Sequence, residues 1–314
     1  MAKCRIALTS ENSLYMERVS VNDTEILTDI YKEVFLKDSD RSINVFLCGS
    51  NPNTQDSIRG LVYEALRNDA AVNIVFPEWL FSDLLVKSQY NLLELENDLA
   101  KNVDIVVLPL EGIGTIAELG SFASYGFGEI RKKIVVINHA NYRNSQSFIN
   151  VGPIKLIREV SKHNIIYYDD KGDVSAKIVS HIKYLRERVV KYDVNNLFGL
   201  SKFILFVIGI FQPINKEKLR QMLIEWDSSL HPHYIEPCLK ILVKKERILS
   251  QMKGYDEHFK LTEEGHRYVF ENMLPHLGVV KVFGRIRTEA INTMNKRRWI
   301  INLEKEREKL LDVS

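Results

Sequence analysis

The chain has 314 residues, 45% of them apolar and 27% charged, with a formal net charge of +2. This composition excludes a disordered or low-complexity polymer and provides enough chain for two compact domains. The small net charge hides an asymmetry: residues 1–189 carry 22 basic against 25 acidic side chains, whereas residues 190–314 carry 21 against 16. A basic second part points to a nucleic acid or another acidic partner, and a solvated basic face explains it nearly as well. Cys4, Cys48 and Cys238 follow neither disulfide nor metal-ligand spacing, which suits a reducing compartment. The N-terminus lacks the apolar core of a secretory signal. The strongest apolar run, Phe203 to Phe211, falls far short of the roughly 20 residues needed to span a bilayer. The expectation is a cytoplasmic protein with no membrane contact.

In chain order, residues 21–36 place Ile26, Leu27, Ile30, Val34 and Phe35 on one helical stripe, so residues 1–41 are expected to form a helical extension. A regular alternation follows. Short aliphatic strands are predicted at 43–48, 72–77, 103–110, 133–138 and 164–170. Helices are predicted at 57–67, 79–86, 91–102, from near Thr115, and at 173–192. Strands without polar alternation, separated by helices, indicate a parallel sheet covered on both faces. Residues 42–192 are therefore expected to form a doubly wound, mainly parallel five-stranded α/β domain of flavodoxin- or Rossmann-like type. Its ligands belong at the carboxyl ends of the strands, where strand order reverses.

Beyond residue 192 the texture becomes helical. Three helices, a Gly-Tyr-Asp hairpin and a helix from "TEEG" follow in the order of a winged-helix domain, over residues 193–280. Its third helix carries Lys240, Lys244, Lys245 and Arg247 as candidate nucleic-acid or partner contacts. A winged helix used only for protein contacts fits equally well. Residues 281–314 read as a basic amphipathic helix, with Arg297 and Arg298 in "KRRW" available to a phosphate or a partner.

The candidate site is the stretch "LEGIGTIAELGSF" after the third strand. Thr115 and Glu118 stand at capping-box spacing, which alone explains both residue types. Against that, the helix starts at a strand's carboxyl end, and Gly112 and Gly114 clear the approach to its amides. A carboxylate in the first turn is expected to stay ionised beside the helix's positive end, as a glycosidic nucleophile must. Other strand ends add Gly49 and Ser50 as a small turn for phosphate or ribose, and Arg59 as a pyrophosphate partner. Glu78 is a candidate for a ribose hydroxyl, and Glu96 with Asn97 interrupts an apolar helical face near the cleft. Asp104 opens its strand at the wrong end for catalysis and is read as structural. "HPH" at 231–233 lacks metal-ligand spacing, and no metal site is expected.

The combination "FLCGS", "FPEWLFSDLL", "LLELENDLAKNVDIVVLPLEGIGTIAELGSF" and "SFINVGPIKLI" resembles nucleoside 2-deoxyribosyltransferase-like domains. It more closely resembles effectors encoded beside retron reverse transcriptases, which join such a domain to a C-terminal winged helix. The resemblance implies that Glu118 attacks C1′ of a sugar and that Glu96 handles the base. A further sugar-holding acid of the transferases is replaced here by Gly112, with Glu111 beside it, which opens the site to another sugar or to hydrolysis. "GIGTIAE" also resembles the Gly-x-Gly-Thr-x-x-Glu signature of nucleotide phosphoribohydrolases, so both resemblances converge on an N-glycosidic bond. The related transferases complete their sites across subunits, which implies a homo-oligomer with Asn150, in the loop 147–153, as a neighbouring contact.

The resemblance therefore implies an N-glycosidase toxin of anti-phage defence, with NAD⁺ as substrate and no bound cofactor. It further implies silencing by a retron reverse transcriptase with its RNA-linked single-stranded DNA. Two alternatives stay open: a nucleotide-sensing winged-helix DNA-binding regulator without catalysis, and a deoxyribosyl salvage enzyme.

Overall fold

The computed structural model describes residues 23–37, 42–49, 57–69, 71–78, 80, 91–125, 129–187, 192–272 and 277–311. Ser50, most of the helix expected at 79–86 and the side chain of Arg298 lie outside the described residues. The chain divides into two compact units. Residues 41–191 form one, and the described residues on either side of them form the other.

The first unit is a five-stranded parallel sheet. Its strands are β1 (Ile43–Leu47), β2 (Val72–Val75), β3 (Ile105–Pro109), β4 (Ile134–His139) and β5 (Ile165–Tyr168), in the order β2-β1-β3-β4-β5. β1 and β3 are buried along their whole length, as continuous aliphatic runs require in a sheet covered on both faces. Ile43, Val45 and Leu47 pack, with Ile105, Val107 and Ile137, against Ile58, Val62 and Leu66 of helix α1 (Ile58–Leu66). The helix following β5 shares that face through Val174, Ile178 and Ile182. On the opposite face Phe46 meets Phe122, with ring centroids 5.9 Å apart. That side holds α2 (Leu92–Asn102), α3 (Ile113–Ser124) and α4 (Pro153–Val160), and α5 (Gly172–Arg186) closes the unit beside α1. Strand order reverses between β1 and β3, so the crevice of this doubly wound sheet opens at their carboxyl ends.

The second unit is built around α6 (Leu197–Phe211), in which every residue except Lys202 is buried. The apolar run at 203–211 is thus a helix wrapped by protein. No helix among the described residues is long and apolar enough to cross a membrane. Around it lie α7 (Lys216–Trp226), α8 (Ile235–Lys244) and an antiparallel sheet of order β6-β8-β7, from Ile214–Asn215, Asp256–Leu261 and Ile248–Lys253. Thr262 caps the short α9 (Glu263–Arg267) by accepting from the Gly265 amide.

The N-terminal helical segment, residues 23–37, packs into this same unit. Its Tyr31 and Phe35 stack at 5.5 Å, Phe35 meets Phe203 edge-on at 5.8 Å, and Phe203 stacks on Trp226 at 4.7 Å. Trp226 donates its indole N–H to Thr28 at 3.1 Å. The long α10 (Leu277–Leu311) buries Phe283, Ile286 and Ala290. Its Arg297 pairs with Asp23 at 2.7 Å, both side chains being largely buried. The segments that read in the sequence as an extension and a tail are thus held against each other by an ion pair.

Candidate functional site

β1 runs out at Cys48 and Gly49. Gly49 has a φ of 123°, and a Cβ there would stand 3.1 Å from Arg59 Cδ, so the turn is closed both conformationally and sterically. Arg59, in the first turn of α1, folds beneath that glycine and is 1% exposed. Its guanidinium donates to the carbonyls of Leu47 at 3.0 Å and Gly49 at 2.5 Å, and lies 4.7 Å over the Phe76 ring. It also pairs with Glu78 at 3.1 Å. The sequence offers Arg59 as an open pyrophosphate clamp. In the fold its donors are directed inward, because the carbonyls at the end of β1 need partners. Arg59 therefore supplies the crevice with a fixed positive charge.

The amino end of α1 is also occupied. Ser57 accepts from the Gly60 amide at 2.9 Å, and Glu111, reaching across from the β3–α3 connection, accepts from the Ile58 amide at 2.6 Å. The acid beside Gly112 thus fastens two strand-end loops together. Asp104 accepts from the Asn44 amide at 2.7 Å and is structural, as expected from its place at the far end of β3.

Helix α3 begins two residues earlier than the sequence suggests. Gly112 is its N-cap and Ile113 its first residue, because Thr115 donates its hydroxyl to the Gly112 carbonyl at 2.9 Å. The Gly112 amide in turn donates to Thr115 at 3.4 Å. Glu118 consequently falls in the second turn, out of reach of the capping position. Its carboxyl is raised above the ordinary value, chiefly by burial and further by Glu78, while a hydrogen bond from the Cys48 thiol and the charge of Arg59 pull it down. The expectation of a first-turn carboxylate beside the helix end is therefore corrected: Glu118 stands a turn further on, where the dipole has faded and burial raises its pKa. Among the described residues the buried Oε2 of Glu118 has no hydrogen-bond partner.

Glu96 projects from α2 toward the same place. Burial, then Glu118 and Glu78, push its carboxyl up to about 7 against the opposing charge of Arg59. Asn97 is buried beside it and accepts from the Ser121 hydroxyl at 3.2 Å, linking α2 to α3. The fold thus brings Glu78, Glu96 and Glu118 around one arginine. Side chains built at Gly112, Gly114 or Gly120 would meet nothing within 4 Å, so packing does not demand these glycines.

Asn150 lies elsewhere. It is buried in its own loop, donating to the carbonyls of Tyr142 at 2.6 Å and Ser145 at 2.9 Å. Its amide group is thereby engaged within the loop. Cys48, which follows no disulfide or metal spacing in the sequence, also lies at the Glu118 crevice. Burial drives this thiol well above its usual range, so it acts as an S–H donor to Glu118. His139 and Tyr168, not among the candidates from sequence, close β4 and β5 at the same sheet edge with rings 5.1 Å apart. Their strand-end positions were the available signal.

In the second unit Lys240, Lys244 and Lys245 lie along or just past α8, with Lys244 exposed. Arg247 lies beyond the helix with its guanidinium 3.3 Å over the Tyr268 ring, and Arg297 is engaged with Asp23. Neither is the open surface cation that the sequence suggests. Among the described residues no group of three or more His, Cys, Asp or Glu could hold a metal ion.

A doubly wound α/β unit with a buried acidic crevice, joined to a helical unit carrying a β-hairpin, is the class this structure defines. The chain belongs to the family described as STM3845 retron effector protein, which it matches over residues 55–250. It is 28% identical, over 304 residues, to an Escherichia coli protein named "Retron Ec86 putative ribosyltransferase/DNA-binding protein", covering 90% of this chain and 94% of that one. It is also 36% identical over 126 residues to the correspondingly named Escherichia coli protein of retron Ec73, covering 38% and 39% of the two chains.

Proposed function

We propose that this retron effector serves anti-phage defence by cleaving the N-glycosidic bond of a nucleotide, with NAD⁺ as substrate, and that Glu118 is its catalytic carboxylate. The observation that carries this reading is the buried, unpartnered Oε2 of Glu118 at the β1/β3 crevice, the place where such sheets bind nucleotides. The three carboxyl groups around one inward-tied arginine favour a cationic ligand over a neutral one. A pyridinium ring arriving beside Glu118 lowers its pKa against the upward push of burial, which favours the ionised form that must act. The carboxylate then attacks C1′ or stabilises the oxocarbenium-like transition state, and the C1′–N bond breaks with its electron pair going to nicotinamide. Nicotinamide leaves neutral and needs no strong acid, and water completes the ribose. Glu96 stands at the base end, Gly112 and Gly114 let the sugar approach the α3 amides, and Cys48 orients Glu118.

The names of the relatives include both a ribosyltransferase and a DNA-binding function, which suits the two-unit division. In our reading the helices α6 to α8 with the β7–β8 hairpin act as a winged helix toward the retron's reverse transcriptase and its RNA-linked single-stranded DNA. Binding of that complex holds the glycosidase silent. Purified protein and Glu118→Gln are incubated with NAD⁺ and the products resolved by chromatography. Nicotinamide from the wild type alone is the expected result. An equal yield from both removes Glu118 from the chemistry, and inertness toward NAD⁺ with turnover of another nucleotide changes the substrate but not the bond.

A further inference from the structure

A second groove lies in the α/β unit, away from the Glu118 crevice. It has a volume of about 650 Å³, within the size range of small-ligand pockets, and is framed by the edge strand β5, the turn preceding it and helix α5. β5 has β4 on one side only, and β4 separates it from the β1/β3 crevice. Four of its eight lining residues are tyrosine or histidine. Tyr184 of α5 lies 6.4 Å from His163 and 6.2 Å from His181, and Tyr167 of β5 lines the same space.

The polar groups are few and placed around these rings. Lys177 donates to the Tyr167 carbonyl at 3.0 Å and reaches Asp173 at 3.4 Å, an exposed pairing that an incoming anion can displace. Arg158 of α4 donates to the Tyr167 hydroxyl at 3.1 Å and Arg143 lies 5.3 Å over that ring, on the sheet face opposite α5, so neither arginine belongs to the groove and Tyr167 offers it its backbone. The His181 Nε2 is buried without a hydrogen-bond partner among the described residues. Burial, and then His163, hold that imidazole below its usual pKa, so it offers a hydrogen bond and not a charge.

From this arrangement we infer that the groove is a nucleotide-binding site separate from the Glu118 crevice, taking a planar base among its rings and a phosphate at Lys177. Stacking platforms beside a cation recognise a base and phosphate whatever the sequence. Two sources present that chemistry: a free mononucleotide, or a nucleotide within a single strand. Ser180 lines the groove beside Lys177 as a second phosphate contact.

The test uses the full chain carrying Glu118→Gln. AMP and a short oligothymidylate are titrated separately by calorimetry, and an azido-AMP photolabel is mapped by peptide mass spectrometry. The same titrations are run with Tyr184→Ala and with Lys177→Ala, residues about 40% exposed whose replacement leaves the fold intact, as a thermal melt verifies. The expected result is a Kd weakened about 10-fold or more by each variant, the worth of one stacked ring or one phosphate contact. Label is expected on peptides of β5 or α5. Loss confined to AMP assigns the site to free nucleotides, loss confined to the oligonucleotide assigns it to a strand, and either supports the proposal. Binding of neither ligand, unchanged Kd values in both variants, or label confined to the peptide containing Glu118 overturns it.

Discussion

Replacing Arg59 by methionine keeps most of the side chain's bulk against Phe76 and removes its charge. Two hydrogen bonds from a charged donor to buried carbonyls, those of Leu47 and Gly49, disappear. At roughly 1.5–3 kcal/mol each, they account for about 3–6 kcal/mol. The stacking of the guanidinium over Phe76 adds about 0.5–1 kcal/mol. Glu78 contributes little to the loss, because it is 57% exposed and returns to water when released. The apolar methionine recovers part of the total, leaving a net cost of about 3–5 kcal/mol. For a unit of this size that lowers the melting temperature by roughly 6–20 °C. Urea unfolding followed by circular dichroism at constant pH reads the change. Because Arg59 pulls down the carboxyl groups of both Glu96 and Glu118, the variant's acid limb of nicotinamide release also moves to higher pH. A stability within about 1 kcal/mol of wild type would refute the claim that Arg59 holds the end of β1 together.

Three further outcomes follow from the same crevice and from the second unit. Glu96 is pushed up to about 7 in the fold against about 4.3 in an unfolded chain, so its contribution to stability is complete below pH 4.3 and lost as pH rises through 7. Glu96→Gln mimics the protonated form, and its stability relative to wild type should rise by about 2–4 kcal/mol between pH 4.5 and 8 in urea titrations. If Glu118 must be ionised, kcat/KM falls as pH drops through its raised pKa. Cys48→Ala, by removing a donor that favours the carboxylate, shifts that limb upward in a pH–rate profile. Arg297→Ala strands Asp23 in a largely buried place and should cost about 2–4 kcal/mol by thermal melting, with partial recovery when Asp23→Asn is added.

The α/β unit was legible because its signals are local. Each buried strand is a short aliphatic run, and the observed β1 and β3 fall inside the runs at 43–48 and 103–110. The stripe Ile26, Leu27, Ile30, Val34 and Phe35 is buried as its spacing implies. Helix boundaries were less so. The start of α3 was displaced by two residues because a glycine N-cap leaves no side-chain signal, and a threonine at the third position imitates one. The helix α4 between β4 and β5 was not singled out at all, its motif being read only as part of a resemblance.

By itself the sequence determined the strands and most of the helices, that the sheet is parallel, and that carboxylates stand near the carboxyl ends of the strands. These follow from periodicity and from the rule that ligands occupy the carboxyl edge of a doubly wound sheet. Only the tertiary structure decided how those groups are used. It turned Arg59 inward to the carbonyls of β1, set Glu111 on the first amide of α1, and brought Cys48 and Glu96 to Glu118, raising carboxyl groups that a helix end would have kept low. It also paired Asp23 with Arg297 across 274 residues of chain. Ionisation and hydrogen-bond partners depend on the dielectric and on neighbours distant in sequence, and neither is set before the chain has closed around them.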